Sequence, residues 1–183
     1  MPFLLPYTAD LARAMIFVDG ENLAIRYGAM LKQRNSAPVG RVQYVPGIFV
    51  WTAELNLEGL NTPAIMRKYY YTAVQGDQPR LSEVEQRLKD MGIETPRVFK
   101  KHRGKGSKRV DITLATDMLV HGMRKHYDVA VLVAGDEDYV PLVRAVQGEG
   151  ARVGVWFVSD GLSPALRLAS DFNCLLDELL FNP

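Results

Sequence analysis

Apolar residues along this chain fall into short unbroken runs, and between the runs they are mixed with polar residues in longer amphipathic stretches. The runs are residues 14–19 (AMIFVD), 67–74 (RKYYYTAV), 95–100 (TPRVFK), 129–134 (VAVLVA) and 152–158 (RVGVWFV). The first and the last two are continuous instead of alternating, as expected of parallel strands covered on both faces. The stretches between them predict helices over 21–33, 46–58, 79–91, 111–125 and 138–149, with a short one over 162–170. The last full helix ends at Gly148-Glu149-Gly150, a C-cap signal. Within 46–58, Trp51 with Phe49, Leu55 and Leu57 reads as the apolar side of a helix. Residues 34–45 read as a loop joining two helices, and 101–109 as a basic, glycine-containing loop. Strand–helix alternation with crossovers of about a dozen residues or more predicts an α/β fold with a parallel sheet between helical layers.

Length and composition narrow this without redirecting it. With 183 residues, 48% hydrophobic and 23% charged, the chain has room for a single domain spanning 1–183, its core about 15–180, and excludes low-complexity or wholly disordered structure. The 22 Lys+Arg against 21 Asp+Glu leave a net charge of +1, so only local clusters of charge carry information about partners. A single cysteine, Cys174, excludes an internal disulfide and a cysteine-based zinc site, and points to a reducing, cytoplasmic location. No apolar stretch reaches the length of a membrane span, and the first residues lack the pattern of a signal peptide.

The candidate chemistry is carboxylate chemistry. Asp19 ends the first strand, Asp111 opens a helix, and Asp136 and Asp138 follow the fourth strand. Each alone can be read as a helix cap or turn residue. Taken together they suggest more, because open α/β sheets bind ligands outside the carboxyl ends of their strands. If the first and fourth strands are neighbours, Asp19 and Asp136 emerge roughly 5 Å apart. Like charges that close raise one another's pKa unless a cation neutralises them. Carboxylates without His or Cys specify a hard ion, Mg²⁺ or Mn²⁺, of the kind that assists attack of water on a phosphodiester.

Three ordered blocks carry a resemblance. They are Val18-Asp19-Gly20-Glu21-Asn22, then Val110-Asp111-Ile112-Thr113-Leu114-Ala115-Thr116-Asp117-Met118-Leu119, then Val133-Ala134-Gly135-Asp136-Glu137-Asp138-Tyr139-Val140-Pro141-Leu142. The chain resembles the NYN domain, whose family includes LabA-like proteins and belongs to the PIN-domain-like nuclease superfamily. The resemblance implies a three-layer α/β/α sandwich with strand order 3-2-1-4-5. It also implies a divalent-metal ribonuclease with ligands on Asp19, Asp111 and Asp136 and with Asp138 close behind. Asp117 fits the family pattern, but six residues along a helix set it about 120° around from Asp111. Asn22, three residues after Asp19, is placed to hydrogen-bond Asp19 or a metal-bound water as part of the catalytic set, or to serve as a local turn or cap.

A basic stretch adds a partner. Lys100, Lys101, Arg103, Lys105, Lys108 and Arg109 lie within ten residues that contain no acid and run directly into Asp111. Such a loop suits a nucleic-acid backbone, since phosphate contacts position the strand. No second stretch of similar density exists to grip a duplex, so single-stranded RNA is the expected substrate. Tyr69-Tyr70-Tyr71 cannot form one stacking platform, because Tyr70 points opposite to its neighbours in a strand. Alternatives remain: an RNA-binding or regulatory module with weak or no turnover, which Ala134 keeps open where many relatives carry Ser or Thr, and a haloacid-dehalogenase-type phosphatase. The latter would want a second Asp where Glu21 stands and an acid at Val140. The sequence leaves room for a homo-oligomer.

Overall fold

The computed structural model describes residues 12–56, 64–101 and 108–182. Its spine is β1 (Arg13–Asp19), whose residues from Ala14 onward are all buried. β1 sits in the middle of the sheet, pairing in parallel with β4 (Ala64–Val74) on one side and β6 (Val129–Val133) on the other. β5 (Thr95–Lys100) extends the sheet beyond β4, and β7 (Arg152–Phe157) with β8 (Phe172–Leu175) extends it beyond β6. The resulting order is β5-β4-β1-β6-β7-β8, and every pairing is parallel. The five strands anticipated from the apolar runs are joined by a sixth, so the implied five-strand order is extended at one edge.

Successive β1 residues point to opposite faces and found two cores. Ile16 and Val18 join one with Tyr70, Val131 and Val133, while Met15 and Phe17 join the other with Tyr69, Tyr71 and Leu132. The first face is covered by α1 (Gly20–Gln33), α2 (Gln78–Asp90) and α6 (Asp177–Phe181), through residues such as Leu23, Tyr27, Leu88 and Leu180. The second is covered by α3 (Lys108–Met123), α4 (Val140–Gly148) and α5 (Pro164–Ala169), through Leu114, Met118, Val143 and Leu166. The three-layer α/β/α architecture follows from this division.

The helix expected over 46–58 does not form. Residues 43–51 instead make an antiparallel hairpin of β2 (Gln43–Val45) and β3 (Phe49–Trp51), followed by a 3₁₀ turn at Ala53–Asn56. Pro46-Gly47 is a turn dipeptide, and Gly47 takes φ +66, a conformation that glycine adopts without strain. The hairpin is fastened to the sheet by the Tyr70 hydroxyl, which lies 3.0 Å from both the amide nitrogen and the carbonyl oxygen of Val50. Trp51 is fully buried edge-on to Tyr70, with its indole N–H donated to Asn56 Oδ1 at 2.9 Å. Tyr70 thus does face away from Tyr69 and Tyr71, and none of the three offers a free stacking surface: they are 0–5% exposed.

Candidate active site

The approach of α1 to the sheet sets the site. Gly20 begins the helix directly after β1, and a Cβ there would fall 1.8 Å from Tyr70 Cε1, so no other side chain fits without a shift. That close seat puts the first turn of α1 over the carboxyl end of β1. Asp19 caps the helix, its Oδ1 accepting the Asn22 backbone N–H at 3.2 Å. The Asn22 side chain reaches the other way: its Nδ2 donates to Asp136 Oδ2 at 2.6 Å. The end of β1 is thereby tied to the loop after β6.

Asp136 precedes a 3₁₀ turn (Glu137–Tyr139) but makes no capping bond there. Its carboxylate is turned instead toward α1. The same turn delivers Tyr139, whose hydroxyl lies 3.0 Å from Asp19 Oδ2 and 3.4 Å from Asp111 Oδ1. Asp111 sits in the first turn of α3, which begins at Lys108 and not at Asp111 itself. Its carboxylate gains from the positive end of the helix dipole. Three chain segments therefore meet at one end of the sheet through Tyr139 and Asn22. Tyr139 is a site residue that the sequence pattern does not single out, although it stands next to Asp138 in the third block.

The electrostatics reflect this crowding. Burial, reinforced by the charges of Asp111 and Asp136, pushes the Asp19 carboxyl up from 3.8 to about 7, against the opposing bonds from Asn22 and Tyr139. Asp111 is also raised, by burial first and then by Asp136, Glu21 and Asp138, with the Tyr139 hydrogen bond pulling the other way. Burial and the two neighbouring carboxylates hold the Tyr139 phenol protonated. Asp138 is exposed, and its charge is felt at Asp111.

Glu21 is a second residue that the sequence pattern does not place in the site. It is 5% exposed and forms an ion pair with Lys101 through Oε1. Its proximity in sequence to Asp19 is the available signal. Lys101, expected on the nucleic-acid-binding loop, is thus turned onto Glu21. Of the other basic positions, Lys100 and Arg109 are exposed, and the Arg109 guanidinium lies 5.0 Å from the centre of the Phe99 ring. Arg103 and Lys105, with the side chain of Lys108, lie outside the described residues.

Asp117 is not gathered with these acids. It accepts the Tyr71 hydroxyl at 2.9 Å and lies 3.8 Å from Arg97 Nε, an arrangement of the α3 flank against β4 and β5. His121 likewise bonds to Tyr69 and His126, at 2.9 and 2.8 Å.

The donor set fits a hard cation, since it is all oxygen and carries surplus negative charge. Buried Glu21 Oε2 and Asn22 Oδ1 have no hydrogen-bond partner, leaving acceptors open at the same end of the sheet. Among the described residues, however, no three His, Cys, Asp or Glu side chains already stand in a geometry that could hold an ion. Both oxygens of Asp19, Oδ1 of Asp111 and Oδ2 of Asp136 are engaged by Tyr139 and Asn22. No helix among the described residues is long and apolar enough to cross a membrane.

The sequence profile of the NYN domain matches residues 13–176. No curated protein sequence is similar enough to this chain to count as a match. Among solved structures, the crystal structure of a protein of unknown function from Vibrio parahaemolyticus superposes with a TM-score of 0.67, at 18% identity, over 93% of this chain and 96% of that one. At that identity the likeness shows the fold.

Proposed function

This chain belongs to the NYN domain family, a family of PIN-like nuclease domains, and on that premise we propose that it is a divalent-metal-dependent ribonuclease acting on single-stranded RNA. The observation that carries the proposal is the meeting of Asp19, Asp111 and Asp136, from three separate chain segments, around Tyr139 and Asn22. Asp19, Asp111 and Asp136 would hold Mg²⁺ or Mn²⁺, with Asp138 assisting, and Asp117 is left to its bond with Tyr71. When bound, such an ion would polarise the phosphodiester and lower the pKa of the attacking water. Asn22 holds Asp136 in place through its amide. Tyr139 orients Asp19 and Asp111 and, remaining protonated, spares the cluster a further negative charge. Lys100 and Arg109, with Arg103, Lys105 and Lys108, supply positive charge for the strand's phosphates. A cytoplasmic location agrees with the lone Cys174.

A second reading, an RNA-binding module without turnover, is favoured by one observation. Asp19 and Asp136 each accept from a protein donor, and among the described residues no three acids stand together in a geometry for an ion. A cleavage assay decides between the two. Equal-length RNA and DNA, single- and double-stranded, are offered with Mn²⁺, Mg²⁺ or EDTA. The nuclease cuts RNA with either ion and not in EDTA; RNA that is retained but never cut supports the binding module.

A further inference from the structure

A cation of the chain's own stands against the acidic cluster, paired with Glu21. Lys101 follows β5, its backbone N–H bonded to the Val74 carbonyl at 2.8 Å, and its ammonium turns back onto Glu21 Oε1. A buried carboxylate is ordinarily satisfied at both oxygens, because desolvation is otherwise uncompensated. In Glu21 only one is served, and Oε2 is buried without a hydrogen-bond partner. Its charge reaches the cluster, since it is among the groups that raise the Asp111 carboxyl. Glu21 therefore has an acceptor that the protein does not use, beside carboxylates that repel one another.

We propose that Glu21 is a further cation-facing carboxylate of this centre and that the Lys101 ammonium is its built-in competitor, yielding Glu21 to a divalent ion and turning to a substrate phosphate. The inference rests on the metal-dependent reading above. Ammonium and divalent ion compete for the same carboxylate and repel each other. Lysine is a compact charge on a flexible stem, so it can change partners at little conformational cost. Its side chain is 31% exposed, so a path toward solvent exists, and Lys100 already stands exposed beside it. A merely structural ion pair would tie β5 to α1 and leave ion binding untouched.

Mn²⁺ binding to the full chain, followed by the loss of the free-ion paramagnetic resonance signal without RNA, tests this. Lys101→Met is expected to tighten Mn²⁺ binding about tenfold, and Glu21→Gln to weaken it about tenfold. In the Glu21→Gln background, Lys101→Met should bring no gain. An equal gain in both backgrounds would mean that Lys101 acts only as a distant charge, which overturns the proposal. Circular dichroism checks each variant, and Lys101→Gln, which keeps a donor to Glu21, replaces Lys101→Met if the latter fails to fold. If the unaltered chain binds no Mn²⁺, the metal-dependent reading fails and this inference with it. If it binds Mn²⁺ in an Asp19-dependent way while Lys101→Met changes nothing, the Glu21–Lys101 inference alone is refuted.

Discussion

Tyr139 has one hydroxyl proton for two carboxylates, Asp19 at 3.0 Å and Asp111 at 3.4 Å. Both interactions are favourable together when Asp19 itself carries a proton part of the time, which its raised pKa of about 7 allows. Tyr139→Phe keeps the ring in the core and removes the donor. It should lower stability by about 1–2 kcal/mol, measured by denaturant unfolding. The pH dependence has a definite sign. Between pH 4 and 7 folded Asp19 holds a proton that the unfolded chain has released. Its contribution is therefore fully present below the unfolded pKa of 3.8 and lost as pH rises through about 7. The loss is on the order of 4 kcal/mol at most. Asp19→Asn should flatten that slope when unfolding in EDTA at pH 5 and pH 8 is compared with the parent; a slope as steep as the parent's would mean Asp19 is ordinary. Asp136→Asn should leave stability in EDTA level or higher, by relief of repulsion, while any cleavage drops by orders of magnitude.

At the scale of elements, the junction of β1 and α1 is the most constrained. Gly20→Ala would force a Cβ against the Tyr70 ring, which is pinned in turn to the β2–β3 hairpin. The expected cost is roughly 1–3 kcal/mol by overpacking, together with displacement of Asp19 and Asn22. Thermal melting alongside ion binding would show both effects; a neutral substitution would mean the helix seat is adaptable. The basic segment between β5 and α3 is tested by replacing Lys100, Arg103, Lys105 and Lys108 with Ala. The salt dependence of RNA binding should flatten by about 0.7 in the log–log slope for each phosphate no longer neutralised. An unchanged slope would leave those residues as a solvated connector.

These elements are unequally legible in the sequence. The runs of β1, β6 and β7 stand out because parallel strands buried on both faces become continuous apolar segments. The hairpin at 43–51 does not, because its strands have only three residues each and the apolar Phe49, Trp51 and Leu55 imitate a helical face. β8 escapes for a different reason: it is four residues long at the sheet edge, with alternating burial and no unbroken run. The convergence of Asp19, Asp111 and Asp136 at one end of the sheet can be anticipated because strand ends and helix starts determine where they emerge. The Tyr139 bridge and the Glu21–Lys101 pair cannot, since each depends on how closely separate segments approach.

At the scale of the molecule, the sheet order β5-β4-β1-β6-β7-β8 makes β1, the first strand in the chain, a central one. Lys100, where the basic stretch begins, ends β5 on one side of β1; on the proposed reading that stretch gives one electrostatic track for a backbone. Labelled RNA offered as a single strand, a hairpin and a blunt duplex should be cut fastest where it is unpaired; equal cutting inside the blunt duplex would contradict a single track. The same order has a consequence for synthesis on the ribosome. Once β5 has emerged, β4 and β5 can pair on one side of β1, but the other edge waits for β6, at residues 129–133. About 30 residues must still be added, a delay of roughly 2–6 s at ordinary elongation rates. Meanwhile the run Ile16-Phe17-Val18 presents an unpaired apolar edge, the kind of surface that recruits other strands. A nascent chain halted after α3 should therefore bind chaperones or aggregate more than one halted after β8, in which β1, β6 and β7 are each paired on both sides.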